Sequence, residues 1–245
     1  MDFIILLVVE CIVFLAALVS GLTGFGFALV LAPNLMLLLS PKTAVPVVTV
    51  LSVVLNSILF YEARRWANPR EIRPLIVSGL LGMLCGTLLL VYLNVPLLKL
   101  LTGAVIIASA VALLLDIKIS LNSRLLQVPV GLLSGFLGGS TSMSGPPVVL
   151  FFQNRGLEKR VFRANLIVYF ILLYPLTLPT YYLGGLLTGE VFTTALLAAP
   201  AMIAGALLGA RLLHRVNEGL FRRITLLLVL ASGVLAIVTG LGFIL

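Results

Sequence analysis

The sequence predicts an all-α integral membrane protein built as two inverted repeats, each a broken, re-entrant-like hairpin followed by three transmembrane helices. Three observations carry this. Hydrophobic residues fill 61% of the 245 positions and charged residues only 10%, whereas a soluble domain carries about 25% charged residues. Two stretches rich in Gly, Ser and Pro interrupt the apolar runs at matching places. Basic residues gather in loops that give the two halves opposite orientations.

A chain this apolar cannot wrap one core in a water-soluble surface, so the lipid bilayer must solvate most of it. At about 20 apolar residues per crossing there is room for roughly eight crossings and short loops. The net charge of +8 would suggest nucleic acid in a soluble protein. Here the basic residues sit in short loops between apolar runs, the pattern of a topology signal, so no nucleic-acid partner is expected. Cys11 and Cys85 lie inside apolar runs without CxxC spacing, so neither a disulfide nor a metal site is predicted. No cofactor is implied. The N-terminal residues lead straight into an apolar run without a basic region, which reads as a retained membrane segment.

The apolar runs fall at about 3–20, 21–39, 43–60, 74–93, 97–115, 125–139, 145–153, 161–183, 191–213 and 224–245. They lack period-2 alternation, and backbone groups in lipid must pair within their own segment, so each is read as helix. The stretches SGLTGFGFALVLAPN at 20–34 and SGFLGGSTSMSGPP at 134–147 place helix-breaking residues at membrane depth. They match at a spacing of 114 residues: Ser20-Gly21 with Ser134-Gly135, Gly24 with Gly138, Pro33 with Pro147. Gly82 and Gly86 match Gly205 and Gly209 at a spacing of 123. One membrane domain therefore divides into repeats 1–118 and 119–245.

Loop charge sets the orientation. Loops 61–73, 154–163 and 211–223 are rich in Arg and Lys and are predicted to be cytoplasmic; 184–190 has neither and is predicted outside. Lys118 and Arg124 also place 116–124 in the cytoplasm. The segment 125–153 must then enter and leave on one side, with arms too short for a full crossing of about 20 residues. Its partner, 1–40, would enter and leave from outside, and both chain termini fall outside. Opposed loop bias in equivalent positions is the signature of inverted repeats.

The breaks carry the chemistry. In inverted-repeat transporters, half-helix N-termini at such breaks face an anionic substrate near the midplane. The candidate binding residues are Gly24, Phe25 and Gly26 at the first break, Gly138, Gly139, Ser140, Thr141, Ser142, Ser144 and Gly145 at the second, and Arg163 and Asn165 in the helix that follows. Their backbone N–H groups and hydroxyls can replace water around a small anion. The alternative is that Gly and Ser merely let helices pack closely. Arg163 can snorkel to the cytoplasmic surface or face an anion path. Asn165 and Asn56 are polar groups expected to line the interior. Glu10, midway along the first run, is the candidate for proton coupling. The GxxxG pairs suit close helix packing, within the chain or at a homodimer seam. Pro175 and Pro179 are expected to kink the 161–183 helix. No catalytic residue is predicted: Ser142-Met143-Ser144-Gly145 faintly resembles a serine-protease nucleophile region, but the only histidine, His214, lies in a basic loop at the membrane edge.

SGLTGFGFALVLAP and SGFLGGSTSMSGPP, each opening one half of a basic, many-spanning chain, resemble the two signatures of the TauE/SafE sulfite-exporter family. Phe25 and Phe27 interrupt the consecutive glycines usual in the first, and Ser140-Thr141-Ser142 replaces part of the second. The resemblance covers essentially the whole chain. It implies a multi-pass permease of a bacterial-type inner membrane that carries sulfite or an organosulfonate. Alternatives are a permease for another small solute, such as a carboxylate, or a non-transporting scaffold subunit. Single cysteines introduced at 66–70 and at 184–189, in a background lacking Cys11 and Cys85, should react with an impermeant thiol reagent from opposite sides. Labelling of both from one side would sink the inverted arrangement.

Overall fold

The computed structural model describes residues 3–94 and 126–213, together with 96–98, 100–101, 104, 108, 111, 217 and 227. Most of the runs at 97–115 and 224–245, the loop at 116–124 and most of 214–223, His214 included, lie outside the described residues. The elements among those described are all α-helices: α1 Phe3–Thr23, α2 Phe27–Leu38, α3 Pro41–Ala63, α4 Pro69–Tyr92, α5 Gln127–Thr141, α6 Gly145–Asn154, α7 Lys159–Leu183 and α8 Gly189–Leu212. Among the described residues, four stretches are long and apolar enough to cross a membrane: Pro41–Ala63, Ile72–Tyr92, Lys159–Leu183 and Gly189–Leu212. The helices on either side of the second break, α5 and α6, have 15 and 10 residues, each short of the roughly 20 a crossing needs.

Local chemistry fixes the helix starts. Pro41 opens α3 and Pro69 opens α4, where a missing N–H costs nothing. Asn68 caps α4 by accepting the Arg70 N–H at 3.2 Å. Prolines further in are tolerated, and α7 stays one helix through Pro175 and Pro179.

Packing crosses between the two ends of the chain. Among the described helices, the most extensive pairings are α4 with α5 and α1 with α8. At the centre α3 packs on α7, flanked by α3 on α8 and α4 on α7. Exchanging α1–α4 with α5–α8 maps these main pairings onto one another. Both outer seams are lined by glycine. A methyl group at Gly82 or Gly86 would run into the carbonyl oxygens of Leu132 or Phe136, and one at Gly135 into that of Gly79. Across the other seam, Gly205 and Gly209 face the carbonyls of Phe14 and Leu18, and Gly21 that of Ala206. The GxxxG pairs are thus used within the chain, bringing backbones into direct contact.

The two seams repeat atom for atom at a spacing that differs from the one read in the sequence. Gly21 meets Ala206 and Ala210 as Gly139 meets Met83 and Thr87. The α1 and α5 positions are 118 residues apart, one helical turn more than the 114 of the sequence match, while α4 and α8 keep the spacing of 123.

Gly135→Ala should lower stability by about 1–3 kcal/mol through overpacking. Gly189→Ala, where nothing lies within 4 Å, should leave it within about 0.5 kcal/mol. Thermal unfolding of the purified protein in detergent checks both, and equal losses would mean that the seams are not close-packed.

Candidate functional site: a cavity between two helix breaks

Both breaks are made the same way. At the first, α1 ends at Thr23 and the chain passes through Gly24 (φ 81°) and Gly26 (φ 93°), left-handed conformations that glycine adopts freely. The Gly24 N–H donates to the Ser20 carbonyl at 2.8 Å. The Thr23 hydroxyl donates back to the Val19 carbonyl at 2.9 Å and accepts the Phe25 N–H at 3.3 Å. At the second, Ser142 takes the left-handed position (φ 62°) and its N–H reaches the Gly138 carbonyl at 2.9 Å. The Thr141 hydroxyl donates to Leu137 at 2.7 Å and accepts the Met143 N–H at 3.3 Å. The spacing is again 118 residues.

The two breaks are held by different side chains. Arg163, 3% exposed, donates from Nε to the Gly21 carbonyl at 3.0 Å. It therefore caps the C-terminal end of α1, where carbonyls lack partners and a cation is favoured. Its other end lies 3.5 Å from Glu62, whose side chain is 48% exposed. Gly24 rests on Arg163 so closely that a Cβ would collide with its Cγ and press on its backbone. At the second break Ser142 Oγ donates to the Val45 carbonyl at 2.8 Å and pairs with the Thr49 hydroxyl. The Tyr174 hydroxyl donates to the Ser142 carbonyl at 2.9 Å and accepts from Ser144 Oγ at 2.8 Å. Ser134 donates to the Ser144 carbonyl and accepts from Tyr169 at 2.8 Å, and Tyr181 donates to the Gly139 carbonyl at 3.0 Å.

Between the breaks lies a cavity of about 20 Å³, room for little more than one water. Phe25 and Gly26 wall it from the first break, Met143 and Gly145 from the second, with Ser20, Ser52, Asn56, Phe170 and Tyr174 completing it. The opening turn of α2, through Phe27, Ala28 and Leu29, forms part of the wall. The N–H groups of such a turn have no helical carbonyl to pair with. The second break offers fewer donors, because Pro146 and Pro147 at the start of α6 have no N–H. A second hollow, of about 60 Å³, lies beside the ion pair and is lined by Glu62, Trp66, Arg160 and Arg163. Arg160 there sits over the Trp66 ring at 5.4 Å.

Of the residues singled out in the sequence, Phe25, Gly26, Asn56 and Gly145 reach the cavity wall. Gly24 abuts Arg163, and Gly139 packs on the α4 backbone. Gly138 lies against Ser144. The hydroxyls of Ser140 and Thr141 turn back to the Phe136 and Leu137 carbonyls, while those of Ser142 and Ser144 are engaged by Val45, Thr49 and Tyr174. Asn165 accepts the Asn68 N–H at 2.7 Å, tying α7 to the start of α4, and is not in the wall. Glu10 is half-buried on α1 and also outside it. Sequence reasoning missed Ser20, Ser52, Phe170 and Tyr174. Ser52 and Asn56, one turn apart in an apolar run, were the readable signal for the α3 side.

Arg163→Met should cost about 1–3 kcal/mol, because it leaves a buried carbonyl unpaired. Glu62→Gln should cost less than about 1 kcal/mol, as its carboxylate is half exposed. Thermal unfolding separates the two, and equal losses would mean that the ion pair, not the cap, is what Arg163 contributes.

Neither a curated protein nor a solved structure matches the chain. A family model described as Sulfite exporter TauE/SafE matches residues 10–236. That span takes in both breaks, both glycine seams and the cavity between them. With so much of its length matched, the chain belongs to the TauE/SafE sulfite exporter family, a family of membrane transporters.

Proposed function

We propose that this protein is a secondary permease for a small anion, sulfite or an organosulfonate, working by alternating access between inverted repeats 1–118 and 119–245. The observation that carries the reading is the cavity walled by both breaks at once. A binding site at that place would feel any relative movement of the two units. Family membership supports the transport class, and the interchangeable helix pairings support the repeats.

An anion leaving water must recover its solvation from fixed donors. The first turn of α2, with its unpaired N–H groups and positive dipole end, is the strongest of these. The Ser20 and Ser52 hydroxyls stand beside it. A tetrahedral oxyanion needs several times the present volume, so binding requires Phe25, Met143 and Phe170 to move apart. Arg163 and Glu62 lie below the first break, on the side of loops 61–73 and 154–163. We assign them to the cytoplasmic closure of the path. Ser140, Thr141, Ser142 and Ser144 contribute by shaping the second break, and Asn165 by holding the α4 start.

The test is flux of labelled sulfite into proteoliposomes, with protein-free vesicles as background. Saturable uptake competed by sulfonates is expected, uptake competed only by carboxylates would reassign the substrate, and no uptake of any anion would favour the scaffold reading. Glu10→Gln should abolish stimulation by an imposed pH gradient while leaving gradient-free exchange intact. Equal stimulation of variant and parent would make Glu10 structural.

A further inference from the structure

Asn56 lies on α3 in the wall of the cavity and is 3% exposed. Its Nδ2 donates to the Ser52 carbonyl at 2.7 Å. That bond fixes the amide orientation, since the flipped form would set two acceptors against each other. The Oδ1 then has no partner among the described residues. A buried acceptor without a donor is costly, and native interiors rarely leave one without a reason. The site thus has an unmet requirement for an N–H or O–H group.

The rest of the wall narrows what can supply it. The described lining contains no Lys, Arg or His. A doubly charged anion would enter without a cation to balance it and would press a negative oxygen against the Asn56 oxygen. A singly charged anion bearing its own proton meets both conditions. Its oxygens face the α2 turn and the serine hydroxyls, and its N–H or O–H faces Asn56.

We propose that Asn56 is a specificity-determining acceptor, so that the cavity selects singly charged oxyanions that carry a hydrogen-bond donor, such as hydrogen sulfite or sulfamate. Fully deprotonated sulfite and aprotic sulfonates of the same size are disfavoured. The inference rests on the anion reading of this cavity.

Sulfamate and methanesulfonate make the test. Both carry one charge at neutral pH and have nearly the same shape; one bears an amino group where the other bears a methyl. Calorimetry on the purified full-length chain should find sulfamate bound at least about tenfold more tightly, the effect of one good hydrogen bond to an otherwise unpaired acceptor. In Asn56→Leu the ratio of the two affinities should fall to about one, whatever happens to either affinity by itself. Equal affinities in the parent would overturn the proposal while leaving the anion site standing, and would mean that water satisfies Asn56. A preference that survives Asn56→Leu would overturn it as well. Binding of neither anion would remove the anion reading, and this inference with it. If Asn56→Leu does not fold, the ratio in the parent decides alone.

Discussion

A helix that breaks inside a bilayer frees backbone groups that lipid cannot pair, and the arrangement of this protein turns on meeting that requirement twice. The first break is met by Arg163 from α7, which takes the Gly21 carbonyl. The second is met partly from α3, through the Val45 carbonyl and the Thr49 hydroxyl, and partly by tyrosines of α7. Each central helix therefore secures a break that lies far from it in the chain. Loosening either helix would strand polar backbone in an apolar setting. The cavity is the small space left where these two solutions meet.

The breaks share a backbone plan but not a chemistry. The first uses glycine in its left-handed position and a buried cation behind it. The second uses a serine there, at a conformational cost of about 1 kcal/mol or more, and binds it with a hydroxyl network. Such a network is directional and stiff when fully satisfied. With α6 opened by two prolines, the backbone N–H groups that could serve a ligand lie chiefly on the α2 side. In the proposed permease the second break would then act as the firm wall, and the first as the face that solvates charge.

Much of this was legible in the sequence. Composition and the lack of period-2 alternation identify a helical membrane protein, and clustered Gly, Ser and Pro locate both breaks to within a few residues. The spacing between equivalent seam positions was not legible, for a physical reason. Gly131, Gly135 and Gly139 recur every four residues along α5, so an alignment can slip by one turn and still match glycine to glycine. Only the backbone contacts of Gly21 and Gly139 resolve the slip. Hydroxyl roles were hidden too. Ser140 and Thr141 look like ligand donors, but each is four residues beyond a carbonyl it can reach, a local bond that competes with any ligand.

The glycine seams also constrain how the chain can be made. Neighbours in sequence usually pack on each other, yet α1 finds its main partner in α8, nearly two hundred residues later. During synthesis α1 must wait in the bilayer for its α8 partner until almost the whole chain has emerged. The α4 seam closes much sooner, on α5. Assembly is thus expected to begin at the middle of the chain and finish by bringing its first helix home. The first break, capped from α7, reaches its final form only late in that sequence of events.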